Sequence, residues 1–179
     1  GQALAWARCG VLQLLGDGER DQRTIDAIGA LGFPADYAQY LERAEAETRS
    51  GCRLPGGGWW FAGGGWMRPQ SLIAAQLAAA AACAQGGRAL TLHAGTAVHA
   101  VIRSGECWQA LAADGRLIAA APVLVLANAN DLTRLAGIGQ SLQRIRGQVS
   151  YVPAGDLKAP QLVLTGSGYV LPAADGIVV

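Results

Sequence analysis

Charge, histidine and long apolar runs are all scarce in this chain, and each scarcity removes a class of function. Only 15% of the 179 residues are charged, with 14 Lys plus Arg against 13 Asp plus Glu. A net charge of +1 supplies no broad positive field for a polyanion, so any nucleic-acid contact must be local or lie elsewhere. Histidine occurs only as His93 and His99, and Cys9, Cys52, Cys83 and Cys107 are widely spaced with no Cys-x-x-Cys pair. That pattern predicts reduced cysteines in the cytoplasm, with no metal site, and it leaves no Ser-His-Asp arrangement for nucleophilic catalysis. The longest apolar run, residues 72–84, is interrupted by Gln76 and falls short of the ~20 residues that cross a bilayer, so no membrane segment is expected. Residues 1–10 carry neither the basic start nor the small-residue cleavage site of a secretory signal.

What the chain does have is apolar substance, 51% of its residues, which predicts a well-buried sheet. Residues 9–15 read as an opening strand ended by the turn signal Gly16-Asp17-Gly18. From Asp21 the spacing of Ile25, Ile28 and Leu31 becomes helical, closed by Gly32 and Pro34. A second helix is expected over residues 35–47, with Tyr37, Tyr40, Leu41 and Ala44 on its inner face and a solvated charged face opposite. Residues 56–66, Gly-Gly-Gly-Trp-Trp-Phe-Ala-Gly-Gly-Gly-Trp, predict a hairpin or paired turns, whose bare backbone and aromatic plates suit either a ring system or plain packing.

The best-marked helix runs from Pro69 to Gly86-Gly87, with Leu72, Ile73, Leu77 and Ala80 on one face packed closely against a sheet. Strands follow over residues 88–94 and 96–103, then 108–113 and 116–121 flanking the Asp114-Gly115 turn, which together make a three-stranded meander. Residues 123–127, Val-Leu-Val-Leu-Ala, are continuously apolar, the pattern of a central parallel strand covered on both faces. Asn130 or Asp131 then caps a short helix carrying Leu132 and Leu135. Short strands and turns are expected over residues 150–179, with Tyr151, Val163, Leu164, Tyr169 and Val170 in the core. The fold class is therefore α/β, or an α+β mixture.

The order Gly-Gly-Trp-x-x-Pro, long helix, strand, meander, Val-Leu-Val-Leu-Ala-Asn and Arg-Gly-Gln-Val-Ser resembles the D-amino-acid oxidase and glycine oxidase superfamily of flavoproteins. Residues 9–14, 64–69, 124–128, 146–150 and 168–172 narrow the likeness to the FAD-dependent half of the bifunctional tRNA 5-methylaminomethyl-2-thiouridine biosynthesis proteins, along nearly the whole chain. The resemblance implies part of an FAD-binding domain with a three-stranded meander, plus part of an antiparallel substrate domain. It assigns residues 1–63 to the substrate domain, 64–130 to the FAD domain and 131–179 to the return into the substrate domain. The implied reaction removes the carboxymethyl group from 5-carboxymethylaminomethyl-uridine, with or without a 2-thio group, at the tRNA wobble position. FAD carries the hydride chemistry and no side-chain nucleophile is required, while S-adenosylmethionine serves a methyltransferase half elsewhere in the parent.

By position, the resemblance places Val98, Ala127 and Asn128 along FAD and brings Gly64, Gly65 and Trp66 to the isoalloxazine side of the pocket. Arg146 is the cation suited to a carboxylate, with Gln148 and Tyr169 on the substrate side. Two departures stand out. The family's glycine after Val-Leu-Ala-Asn is Ala129 here, and no strand is followed by the Gly-x-Gly-x-x-Gly loop that holds a dinucleotide pyrophosphate. With no initiator Met and an end in the apolar run 177–179, the expectation is an internal slice of a larger enzyme, inactive by itself. Two other readings stay open: an oxidase of free amino acids such as glycine or sarcosine, and a non-enzymatic α/β interaction module.

Overall fold

In the computed structural model, the described residues are 4–15, 19–84, 89–137, 142–143, 145–153, 155, 158–172 and 177–178. In chain order they form β1 (Trp6–Ala7), β2 (Val11–Leu14), α1 (Glu19–Ala30), β3 (Gln39–Leu41), α2 (Arg43–Ser50), β4 (Gly58–Phe61), β5 (Trp66–Met67) and α3 (Pro69–Ala82). There follow β6 (Ala100–Ser104), β7 (Cys107–Leu111), β8 (Leu117–Ala121), a 3-10 turn at Ala129–Asp131 and α4 (Leu132–Ala136). The last elements are β9 (Val152–Pro153), β10 (Val163–Thr165), β11 (Tyr169–Val170) and β12 (Ile177–Val178). Two compact units result, unit 1 from residues 1–88 and 149–179 and unit 2 from residues 89–148.

Unit 1 is built on a five-stranded sheet of order β11-β10-β2-β4-β3, in which only the β10–β2 pair is parallel. Successive side chains of a strand point to opposite faces, and Trp59 and Trp60 on β4 show the consequence. Trp60 packs with Leu12, Leu41, Ala46, Leu54, Leu162 and Leu164, whereas Trp59 packs with Leu15 and Ala38 beneath Ile25 and Ile28 of α1. Helix α2 ends on Gly51 at φ 71°, whose N–H donates to the Glu47 carbonyl over 2.9 Å. The fully buried Ser50 links that end to the chain entering β10, since its carbonyl accepts from the Gln161 N–H over 2.9 Å. Two short antiparallel pairs, β1–β5 and β9–β12, complete the unit.

Unit 2 holds the expected meander, β6-β7-β8, antiparallel throughout, with a bulge between Ala110 and Leu111. Its turn follows the chemistry of Asp-Gly: Gly115 takes φ 79°, and the Asp114 carboxylate accepts from the Arg116 N–H over 3.0 Å.

The mixed α/β class, the opening strand and helices α1, α3 and α4 match the sequence expectations. Several expectations are corrected. Residues 35–42 are not helical, because Gln39–Leu41 pairs with Trp60, Trp59 and Gly58 as an edge strand. The glycine-tryptophan stretch is not a hairpin, since β4 pairs with β2 and β3 while β5 pairs with β1. Residues 89–94 form no strand, with Leu90 and Leu92 exposed, and Arg88 lies outside the described residues.

Residues 123–127 also pair with nothing among the described residues. They run as a one-sided segment with Val123 at 74% and Val125 at 81% exposure, because a parallel strand buries both faces only between neighbours. Helix α3 buries Ser71 alone, and Ile73 is 56% exposed. Gly86 and Gly87 lie outside the described residues. Leu31 sits exposed beyond the end of α1, and Tyr151, Tyr169 and Val170 are exposed. Asp131 makes no cap hydrogen bond, its carboxylate accepting from Arg134 instead. No helix among the described residues is long and apolar enough to cross a membrane, and they hold no metal-binding group of three or more His, Cys, Asp or Glu.

Glu47, expected on a solvated face, instead fastens α2 to the following loop. Its Oε1 accepts from the Leu54 N–H over 3.0 Å and from Arg43 Nε over 3.1 Å. The backbone donor first, then Arg43, lower the Glu47 pKa below its ordinary 4.5. A depressed carboxyl pKa adds stability that is present above the unfolded value and is lost as pH falls through the folded one. Urea midpoints measured from pH 7 down to pH 3 are therefore expected to fall less steeply in Glu47→Gln than in the unsubstituted chain. Parallel acid limbs would remove the clamp from the account.

Candidate functional site

A cavity of about 420 Å³ lies within unit 2, between the meander and the 123–135 segment, and Val98, Leu126, Ala127, Asn128 and Arg134 are among its lining residues. Its floor is set by Arg134. The guanidinium binds Asp131 through Nε at 3.1 Å and donates to the carbonyls of His99 at 2.6 Å and Val98 at 3.2 Å. Hydrogen bonding to Asp131 raises the Arg134 pKa further above its already high range, so the charge is permanent. The Val98 carbonyl thereby has an internal partner. Sequence reasoning overlooked Arg134, although the Asp131-x-x-Arg134 spacing is the signal of an ion pair across one helical turn.

Asn128 is the unusual member of this cavity. Its Nδ2 and Oδ1 are both buried and find no hydrogen-bond partner, a condition that costs about 1–3 kcal/mol unless something else satisfies the amide. The next residue, Ala129, takes φ 48° and is the one non-glycine with positive φ among the described residues. The left-handed backbone survives there although a side chain costs about 1–2 kcal/mol in that conformation. Val98, Ala127 and Asn128, singled out separately in sequence, thus share one cavity.

Unit 1 holds a larger cavity of about 550 Å³, formed by β5, the start of α3 and the strands β10 and β11. Trp66, Arg68, Tyr151, Thr165 and Tyr169 line it together with apolar side chains. Trp66 and Tyr169, both expected site residues, therefore meet there. Gly65 lines it too, and its lack of a side chain has a separate cause, because a Cβ at Gly65 would stand 2.0 Å from the Ala7 carbonyl oxygen of the paired strand β1. At Gly64 a Cβ would meet Val11 at 2.6 Å, and the Gly64 carbonyl accepts from the Gly10 N–H over 2.9 Å. Arg146 and Gln148 belong to unit 2 and are exposed, and neither is among the residues lining the unit 2 cavity. Arg68 was overlooked, although it stands inside the Gly64–Pro69 string that carries the family likeness.

Comparison with known proteins agrees with the residue strings. The chain is 39% identical over 171 residues to the tRNA 5-methylaminomethyl-2-thiouridine biosynthesis bifunctional protein MnmC of Paraburkholderia phytofirmans, covering 94% of this chain and 25% of that protein. Against the protein of the same name from Cupriavidus necator it is 37% identical over 182 residues, covering 98% of this chain and 27% of that one. The chain thus spans about a quarter of the length of these relatives. Glycine oxidase from Geobacillus kaustophilus has the same fold, with a TM-score of 0.65 at 20% identity over 98% of this chain and 47% of that one. The family model described as FAD dependent oxidoreductase matches residues 1–179, and the chain belongs to that family.

Proposed function

We propose that this chain is part of an FAD-dependent oxidoreductase that removes the carboxymethyl group from 5-carboxymethylaminomethyl-uridine, with or without the 2-thio group, at the tRNA wobble position. Its parent also carries an S-adenosylmethionine-dependent methyltransferase half and works in the cytoplasm, where its four unpaired cysteines stay reduced. The carrying observation is the 39% identity along 94% of the chain to a protein named for tRNA 5-methylaminomethyl-2-thiouridine biosynthesis. Residues 1–63 and 131–179 belong to the substrate domain in this reading, and 64–130 to the FAD domain.

The residues present fit the cofactor. A buried Asn128 amide without a protein partner, on the wall of a cavity shared with Val98 and Ala127, suits the polar edge of a nucleotide. Val98, Ala127 and Asn128 would hold FAD in unit 2, while Gly64, Gly65 and Trp66 of unit 1 are taken as cofactor-side residues on the family likeness alone. When bound, FAD supplies the two-electron oxidation of the C–N bond. The work of the chain itself is to position the amine and exclude water, for which Trp66 and Tyr169 supply cavity walls. Arg146 and Gln148, exposed in unit 2, suit contacts to a substrate as large as tRNA.

The fold shared with a glycine oxidase supports oxidation of free amino acids as the second reading. A single assay separates the two. The full-length protein is incubated with tRNA bearing the carboxymethylaminomethyl group and, separately, with glycine or N-methylglycine, while flavin bleaching and the nucleoside mass are followed. Loss of the carboxymethyl mass from tRNA, with little turnover of the free amino acids, is expected. Robust turnover of glycine with untouched tRNA would overturn the proposal.

A further inference from the structure

We infer that Arg134 is a positioning residue of the cavity in unit 2: its guanidinium fixes the separation between the wall carrying Val98 and the wall carrying Ala127 and Asn128. This rests on the proposed function in one respect, that those three residues face FAD. Several stretches of chain meet at this one side chain. Within its own turn Arg134 pairs with Asp131, Nε lying 3.1 Å from each carboxylate oxygen. Toward the meander, Nη1 donates to the His99 carbonyl over 2.6 Å and Nη2 to the Val98 carbonyl over 3.2 Å. The His99 N–H donates to the Leu111 carbonyl over 2.8 Å, so His99 is bonded to β7 on one side and to α4 on the other. Asp131 in turn donates its N–H to the Asn128 carbonyl over 3.2 Å. A continuous chain of bonds therefore runs from Leu111 through His99, Arg134 and Asp131 to Asn128.

Nothing else in the backbone does this work. Helix α4, Leu132–Ala136, has five residues, too few to be stable without outside support. Residues 123–127 pair with no strand among the described residues, so no ladder places Ala127 and Asn128. A planar fork with donors on several edges can meet one carboxylate and two carbonyls together, which suits arginine. The pair also sets the character of the wall. Asp131 and Arg134 are the only charged residues among the described lining of this cavity, and their charges offset each other. The remaining lining is apolar apart from the unpartnered Asn128 amide. Such a wall suits the uncharged adenosine end of a dinucleotide, whereas a pyrophosphate calls for donors or cations not already engaged. With its carbonyl engaged by Arg134, Val98 offers a ligand its N–H and its side chain.

The test uses the full-length protein stripped of flavin. FAD, and FMN as a flavin without the adenosine end, are titrated into the unsubstituted protein, Arg134→Gln, Arg134→Lys and, as an exposed-charge control, Arg116→Gln. Flavin fluorescence reports binding, while circular dichroism and the melting temperature of the flavin-free form report folding. Loss of the charge-assisted bonds is expected to weaken FAD about tenfold in Arg134→Gln, with partial recovery in Arg134→Lys and less than about twofold change in Arg116→Gln. FMN affinity is expected to stay within about twofold, a selectivity that general loosening of the fold would not produce. Unchanged FAD affinity in Arg134→Gln overturns the assignment, as does an equal loss for FMN, or absence of FAD binding to the unsubstituted protein. If FMN binds none of the proteins, ADP takes its place as a competitor for the adenosine end; it is expected to weaken in parallel with FAD, and unchanged ADP binding overturns the assignment. If Arg134→Gln does not fold, Arg134→Lys carries the test, with a loss of about threefold expected and no loss overturning it. Arg134-dependent FAD affinity in a protein that leaves the modified tRNA untouched keeps the assignment and removes the proposed reaction. FAD affinity indifferent to Arg134→Gln in a protein that does act on that tRNA does the reverse.

Discussion

Alanine at position 58 is expected to destabilise unit 1 by on the order of 4 kcal/mol, the largest effect of any single methyl group in the sheet. Gly58 lies opposite Leu14 on β2 and Leu41 on β3, inside the ladder on both sides. A Cβ there would stand 2.3 Å from the Gln13 carbonyl oxygen, 3.0 Å from its carbon and 3.1 Å from the Leu14 Cα. All three are backbone atoms, so no rotamer change relieves the clash and the strands must separate. Separation breaks ladder hydrogen bonds next to buried Trp59 and Leu41. Urea unfolding followed by tryptophan fluorescence measures the loss. A midpoint within error of the unsubstituted protein would mean that β4 is not the interior strand described here.

Leu12→Ala is expected to cost about 3 kcal/mol. Leu12 is 0% exposed, sits opposite Trp60 on one neighbour strand and Leu164 on the other, and packs with Leu41, Ala46 and Leu54. Removing that much of a buried leucine loses transfer free energy and leaves a cavity, together about 2–5 kcal/mol. Ile73→Ala on α3 is the matched control, because Ile73 is 56% exposed and its truncation should change stability by about 0.5 kcal/mol or less. The sequence pattern alone puts Ile73 on a packed face and predicts a loss of the size of a buried aliphatic residue there too, which makes the pair of variants diagnostic. Equal losses at the two positions would contradict the burial described for α3.

Features whose cause lies within a few residues were legible from the sequence. Pro69 opens α3, Asp114-Gly115 turns the meander, and Ile25 and Ile28 mark the inner side of α1. Each depends on a backbone dihedral or on a spacing of three or four residues, which the residue types carry with them. The family resemblance, carried over by position, likewise pointed to Val98, Ala127 and Asn128, which one cavity of unit 2 brings together across about thirty residues of chain.

Features that depend on a distant partner were not legible. Residues 39–41 have a composition that a helix would accept, and they became a strand because β4 offers an unpaired edge. Residues 123–127 have the composition of a central strand and remain unpaired among the described residues, since apolar pattern cannot supply the neighbour that hydrogen bonding requires. The same holds for the larger cavity of unit 1. Arg68 looks in sequence like one more charged residue before a proline, and only the approach of β10 and β11 to the start of α3 sets it beside Thr165 and Tyr169. Local chemistry decided where elements begin and turn; tertiary contact decided which edges pair and which side chains share a cavity, because both need residues from about twenty to about a hundred positions away.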